Sequence, residues 1–554
     1  MLAVLLTIFM FSQGLSMDNC GTNFITAFPE NIAYYFQNNH NYLKITTLYP
    51  DTDVSIIYMG NGFNNTTSIS TAGVTWTFNF PKEVEEYQLI SSNKSIIIRS
   101  NNNITVLSMT GWQGRLQSHV VQPEQNLRTV YTIPNLNYAS IMAKFGLSVS
   151  SEVRYNSFRL LIINAVNATN TVSIKKLGTG DRVTQTLNPY FLYQLQINNT
   201  VIEVSGTDKI AVILTHPCFE SKNCSCNMVM NQLRPVMQNG AVERFPITMS
   251  STEVKQLFLT TSQSVEVAVG DLQAGSGTQV PSSTDILHLL NGVNNAPQLI
   301  TTSIPISLRL ISPGIILDLI PVSMFSGCFL VHFYSPNTGA VIVAETSSTA
   351  SVKMNAAPLP SAPTWNVISG TEYSWATVWS GPTSATIWHP DSKIAVYTVE
   401  LSISMYASPA IIINDEPDPK GCALTPGKFV VGEEDLNWTM SREYCKHNFD
   451  NLASIFRQNN QDKMAANIKV QEPTEGWIGL RRSLFSTEWY WSISDNTTTP
   501  LNFTYWADQQ PDLPQRGLCA SVSMALGNFT WKSAPCCSIK KPICFKNPTY
   551  LVLI

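Results

Sequence analysis

The sequence predicts a mainly β protein that ends in a smaller α+β module. Short runs rich in Val, Ile, Thr and Tyr, separated by Asn, Gly, Ser and Pro, dominate residues 17–410. No long amphipathic helical pattern interrupts them. From 422 onward, tryptophan and cysteine punctuate a Pro/Gly/Asn-rich stretch (WIGL, WYWS, YWADQQPD, WKSAPCCSIKKPIC). That pattern suits a small fold stapled by disulfides, with long ordered loops.

A chain of 554 residues exceeds what one core supports, so two to four domains are expected. With 13% charged residues and a net charge of −4, it lacks the basic face of a nucleic-acid binder. Residues 1–16 read as a secretory signal: an apolar run from Leu2 to Phe11, then Gly14 and Ser16 before Met17. That run is too short for a membrane span of about 30 Å, as is the C-terminal LVLI. The expected product is secreted and extracellular.

Sequons agree with export, at Asn65, Asn93, Asn103, Asn167, Asn198, Asn437, Asn496, Asn502 and Asn528, with further matches at Asn64 and Asn223. In such a chain the eleven cysteines are disulfide candidates. Cys218, Cys224 and Cys226 lack the duplicated C-x(2–4)-C spacing of a zinc site, and disulfides are the expected reading. Cys20 and Cys328 are candidate partners for them, which leaves one cysteine of the five to pair elsewhere or bridge to another chain. The seven histidines are scattered, and no nucleophile elbow or phosphate-binding glycine loop occurs. Glu83, Glu85 and Glu86 read as a solvated polar stretch. No catalytic residue, metal or other cofactor is assigned.

Within 17–406 the strand-like runs repeat. Ile96–Ser108 resembles Val201–Thr215 and Ala385–Val399, with a weaker copy at Asp318–Phe333. Each reads as strand, tight polar turn, strand, and the lead-ins FPKEVEEYQLI and LNPYFLYQLQI match. The expected architecture is a set of sandwiches or a small propeller-like ring, split into two subdomains near 236–250. On the landmarks GTNFITAFPEN, LLIINAVNATNTVSI, LNPYFLYQLQ and IAVILTHPCFESKNCSCNMVMNQLRPV, this region resembles the N-terminal domain of the IgGFc-binding protein family. The resemblance implies a module of a secreted mucus- or matrix-type glycoprotein. The family name refers to antibody Fc, but no residue here carries that activity over.

Residues 407–421, ending in DEPDPKG, read as a linker. The module at 422–546 opens with a strand at Phe429–Val431. Two helices follow: NWTMSREYCKHNF, capped by Thr439 or Ser441 and burying Met440, Tyr444 and Cys445, then QNNQDKMAANI with Met464 and Ile468 on one face. Residues 547–554 form a tail. In the order of NWTMSREYC, WIGL, YWADQQPD, Cys519 and WKSAPCC, this module resembles a C-type lectin-like domain.

That resemblance implies disulfides Cys445–Cys544 and Cys519–Cys536. It leaves Cys422 and Cys537 to pair with each other, or Cys422 to bridge to the other module. It also implies a site at Gln510 and Asp512, beside Trp506 and Trp531. In this family a calcium ion with six to eight oxygen ligands often completes such a site. Here Gln510-Pro511-Asp512 resembles the galactose-type tripeptide, but Gly517, Lys532 and Ser533 replace the remaining three ligands. Two oxygens are too few for calcium and Lys532 repels it. Two readings follow: a calcium-dependent galactose lectin, or a lectin-fold module that binds glycan or protein without calcium.

The sequence therefore predicts a secreted, non-enzymatic recognition glycoprotein without a membrane span. Its expected partners are glycans or glycoproteins, on mucin-type or microbial surfaces, and no nucleic acid. The alternative is a structural component of mucus or matrix. The odd cysteine count raises a disulfide-linked oligomer.

Overall fold

The computed structural model describes residues 18–33, 40–112, 115–147, 157–177, 179–197, 202–221, 225–235, 242–248, 256–261, 263–272, 277–281, 284–285, 298–312, 314–360, 362–380, 383–400, 406–425, 427–468, 475–484, 488–494, 497–512, 517–524 and 529–553. The predicted signal, 1–16, lies outside them, as do Cys224, Asn198, Asn223, Asn496, Asn528 and most of 236–250. The chain divides into two compact units, 1–422 with 551–554, and 423–550.

The larger unit is built almost entirely of strands and follows one plan four times. The first module contains β1 (Gly21–Thr26), β2 (His40–Thr47), β3 (Thr52–Tyr58), β4 (Phe63–Ile69), β5 (Thr75–Phe80), β6 (Ile96–Trp112) and β7 (Arg115–Val120). Its order is β4-β3-β6-β2-β5, with β1 and β7 also on β6. The second contains β8 (Arg128–Ile133), the short helix α1 (Tyr138–Lys144), β9 (Arg159–Asn164), β10 (Asn170–Lys176), β11 (Arg182–Leu187), β12 (Leu192–Gln196), β13 (Ile202–Ser221) and β14 (Ser225–Gln232). Its order, β11-β10-β13-β9-β12 with β8 and β14 on β13, repeats the first position for position.

The third module has β15 (Glu243–Ile247), β16 (Gln256–Thr260), β17 (Val265–Val269), β18 (Thr278–Val280), β19 (Thr284–Asp285), β20 (Gln298–Thr302), β21 (Ser307–Ser312) and β22 (Ile315–Asp318). Here the long central strand is cut in two, giving sheets β15-β20-β17-β18 and β19-β16-β21-β22. The fourth has β23 (Cys328–Phe333), β24 (Thr338–Glu345), β25 (Tyr373–Trp379), β26 (Thr383–Trp388), β27 (Ala395–Glu400), β28 (Tyr406–Pro409) and β29 (Ile411–Asn414). Its sheets contain the runs β26-β23-β29 and β25-β24-β27-β28, the first extended beyond β26 by two-residue strands at Lys353–Met354 and Ala357–Pro358 and the second beyond β25 by Asn366–Val367. The strands β7, β14, β22 and β28, one from each module, pack in succession, and β28 meets β7 again. Asn19 completes the circuit: its N–H donates to Ile412 O at 2.8 Å and its Oδ1 accepts from Ile412 N at 2.7 Å.

This plan corrects the hairpin reading. Ile96–Ser108 is part of one long strand, and its polar Ser100–Asn103 stretch is a corner where the pairing partner changes from β3 to β2. The corner forms because side chains replace lost ladder bonds: Asn101 Oδ1 accepts from Asp53 N at 2.9 Å, and in the second module Asn170 Oδ1 accepts from Asp208 N at 3.2 Å. Alternation then fills the module interior with Leu43, Ile45, Val54, Ile56, Ile96, Ile98 and Val106. Glu85 and Glu86 are buried, not solvated. Glu85 accepts from Asn31 N, Asn41 Nδ2 and Lys82 Nζ, which offsets the cost of burying its charge. Residues 407–414 belong to core strands β28 and β29, so only the stretch after Asn414 remains linker-like.

Cysteine pairing follows one of the two readings left open for Cys422, a bridge to the other module. Cys328 bonds to Cys422 and Cys218 to Cys226, while Cys20 is a buried thiol and Cys537 an exposed one. Pairing of Cys422 with Cys537 is thereby excluded.

The smaller unit contains β30 (Lys428–Val431), α2 (Trp438–Asn448), α3 (Gln458–Asn467), β31 (Glu475–Arg482), β32 (Trp489–Ser494), β33 (Cys519–Ser523), β34 (Trp531–Ala534) and β35 (Lys541–Lys546). Asn437, not Thr439 or Ser441, caps α2 through Met440 N. The helix buries Trp438, Ser441 and Cys445, which share one face by their three- and four-residue spacing, and leaves Met440 exposed on another. Cys445–Cys544 ties α2 to β35, and Cys519–Cys536 ties β33 to the loop after β34.

Candidate ligand-binding site

The loop between β32 and β33 is laid along β34 by backbone bonds: Trp531 N donates to Tyr505 O and Ala507 N to Trp531 O, both at 2.9 Å. Beneath it, Trp531 is wholly buried. Its Nε1 donates to Gln461 Oε1 at 3.1 Å, and Trp491, Phe503 and Trp506 pack around its ring. The expected ligand contact from Trp531 is corrected, because that side chain has no surface to offer. Trp506 remains half-buried at the edge of the same cluster.

Gln510 and Asp512 are brought together at Ser533. Gln510 Oε1 accepts from both Ser533 N and Ser533 Oγ at 2.9 Å, and Ser533 Oγ accepts from Asp512 N at 2.9 Å. The peptide between Gln510 and Pro511 is cis. A carbonyl oxygen has two acceptor lone pairs, and Ser533 occupies both. Gln510 therefore offers its Nε2 donors to a ligand, and no oxygen to a cation.

The other three calcium positions fare no better. A Cβ on Gly517 would stand 2.3 Å from the carbonyl carbon of Ala534, so no carboxylate fits there unless β34 moves. Strand alternation turns Lys532 away from Ser533. Lys532 Nζ lies 3.2 Å from Glu475 Oε1, and Lys540 Nζ lies 2.5 Å from Glu475 Oε2. Burial raises the Glu475 pKa, but the hydrogen bonds and charges of Lys540 and Lys532 outweigh it and leave the carboxyl below its usual range. The residues present do not fit calcium. Among the described residues, no group of three or more His, Cys, Asp or Glu is placed to hold a metal ion. Sequence reasoning passed over Glu475 and the Ser533 lock, because neither lies in a motif that names its partner.

Of the sequons, Asn103, Asn167 and Asn502 are exposed, whereas Asn65, Asn93 and Asn437 are half-buried. Asn93 Nδ2 donates to Met59 O at 3.2 Å, and the Asn437 side chain caps α2.

A ring of four β modules and a disulfide-stapled α+β unit make up the described chain. The sequence profile described as "IgGFc binding protein" matches residues 117–399, half of the chain, so the chain belongs to the IgGFc-binding protein family. The profile described as "Lectin C-type domain" matches residues 434–546. The chain is similar to the IgGFc-binding protein of Homo sapiens, at 23% identity over 395 residues, or 66% of this chain. It spans only 7% of that protein's length. It is also similar to the type-2 ice-structuring protein of Osmerus mordax, at 26% identity over 22% of this chain and 67% of that one. Among solved structures, human lithostathine is 23% identical over 22% of this chain and 93% of its own, with a TM-score of 0.20.

Proposed function

We propose that this is a secreted, non-enzymatic recognition glycoprotein whose lectin-fold unit binds glycan or glycoprotein ligands without calcium. The single observation that carries this reading is the Gln510–Ser533 lock, which closes the oxygen a calcium ion would need. Trp506, Asp512 and the Gln510 amide then form the ligand-facing edge. Mucin-type or microbial surface glycans are the proposed targets. A glycan array probed with the full chain, in calcium and in chelator, tests this. Equal binding in both supports it, and chelator-sensitive binding to galactose rules it out.

A structural or interaction component of mucus or matrix is the second reading. The exposed thiol of Cys537 favours it, since an exported chain with such a thiol can be bridged to another. Absence of glycan binding in either buffer, with a dimer on non-reducing electrophoresis that Cys537→Ser abolishes, would select it.

A further inference from the structure

A small cavity in the larger unit gathers charged and hydroxyl side chains from three neighbouring segments. Arg234 reaches it from the chain just after β14, and Glu243 from the start of β15. Ser307 opens β21, Asp318 closes β22, and Ser323 follows it. The cavity offers about 50 Å³. A water-sized group needs about 10–15 Å³ of such space, so there is room for about four heavy atoms.

The charges around it do not balance. Asp318 stands opposite Arg309 in the β21–β22 ladder and pairs with it at 2.7 Å. Ser323 Oγ donates to both oxygens of Glu243, at 2.7 and 2.9 Å. Burial raises the Glu243 pKa, toward the neutral form, against the pull of that hydrogen bond. Arg234 has no such partner. Among the described residues, no group accepts from its guanidinium and no carboxylate lies within ion-pair distance of it. Asp318 acts on it through its field, which raises the Arg234 pKa by less than burial lowers it. Its nitrogens are not sealed in, because half-buried Arg234 lines the cavity. The Ser307 hydroxyl is likewise without a partner among the described residues. A desolvated cation left unpaired is costly, so a site of this kind favours an anion.

We propose that this cavity binds a carboxylate. Its two oxygens accept from the N–H groups of Arg234, and one of them also accepts from the Ser307 hydroxyl. A guanidinium is a planar fork whose paired donors match the two oxygens of a carboxylate. The space suits a carboxylate with one further carbon, which a free short-chain acid supplies. The acid group of a uronic sugar supplies the same chemistry, with its ring at the mouth. The site belongs to the larger unit and is independent of the ligand of the lectin-fold unit.

The test is saturation-transfer NMR and calorimetry on the full chain in a fixed chloride background, with acetate and glucuronate as probes. Binding of either supports the proposal. Acetate alone assigns a free acid, and glucuronate assigns a carboxylate carried on a sugar. Arg234→Gln is expected to weaken the binding by about tenfold or more, the loss of a charged partner. Ser307→Ala, which leaves the charge in place, is expected to weaken it by about threefold. Lys175→Gln, an exposed change on β10, should bind as the unaltered chain does. Failure of both probes to bind, or unchanged binding in Arg234→Gln, overturns it.

Discussion

Ser533 donates two hydrogen bonds to one oxygen, Gln510 Oε1, and so pins the long loop of the lectin-fold unit directly to β34. Ser533→Ala removes the hydroxyl that donates to Gln510 Oε1 and accepts from Asp512 N. The expected loss is about 1–2 kcal/mol in the unfolding of that unit, the usual worth of one or two partly buried hydrogen bonds. Urea unfolding followed by tryptophan fluorescence measures it. An unchanged midpoint would show that the loop is held by something else.

Trp531→Ala should be far more damaging than Trp506→Ala. Trp531 fills the centre of the aromatic cluster and satisfies Gln461, so its removal should cost about 3–5 kcal/mol. Trp506 should instead alter ligand binding with a smaller stability cost. Equal destabilisation by the two changes would contradict the placement of one in the core and the other at its edge.

How much of this was legible in the sequence depends on the range of the interactions. The lectin-like scaffold could be read because its tryptophans and cysteines sit at fixed spacings. The repeat could be read as repetition but not as topology, because Asn101 and Asp208 look the same whether they close a hairpin or turn a corner. Nor could Cys328–Cys422 be chosen, since partners 94 residues apart leave no local trace. Glu475 answers Lys532 and Lys540 from another strand, a pairing that only the register reveals.

Three histidines make the β ring acid-labile. His119, His216 and His332 are buried, and burial pushes each pKa down to about 3, with Arg159 adding to the effect at His216 and Lys44 at His332. In the unfolded chain each titrates near 6.5, so the unfolded state binds more protons between those values. Stability is fully present above pH 6.5 and is lost as pH falls toward 3, by up to about 1.4 kcal/mol per histidine per pH unit. Denaturant midpoints at pH 7 and pH 5 should differ accordingly, and His119→Leu should flatten the slope by about a third. Midpoints that do not move between these pH values would contradict the burial of neutral rings.

The Cys328–Cys422 bridge closes a long loop, from β23 to the end of the larger unit. Replacing both cysteines by alanine should lower the stability of that unit by about 2–4 kcal/mol. Peptide mapping without reduction should recover the two segments joined. Recovery of Cys422 joined to Cys537 would overturn the assignment.

The central claim is that the lectin-fold unit works without calcium, and calcium titration of the full chain by isothermal calorimetry tests it most directly. With Gln510 Oε1 occupied by Ser533, Gly517 closed against Ala534 and Lys532 held by Glu475, no binding heat is expected up to about 1 mM, the weak end for extracellular calcium modules. A saturable heat in that range, abolished by Asp512→Asn, would contradict the account.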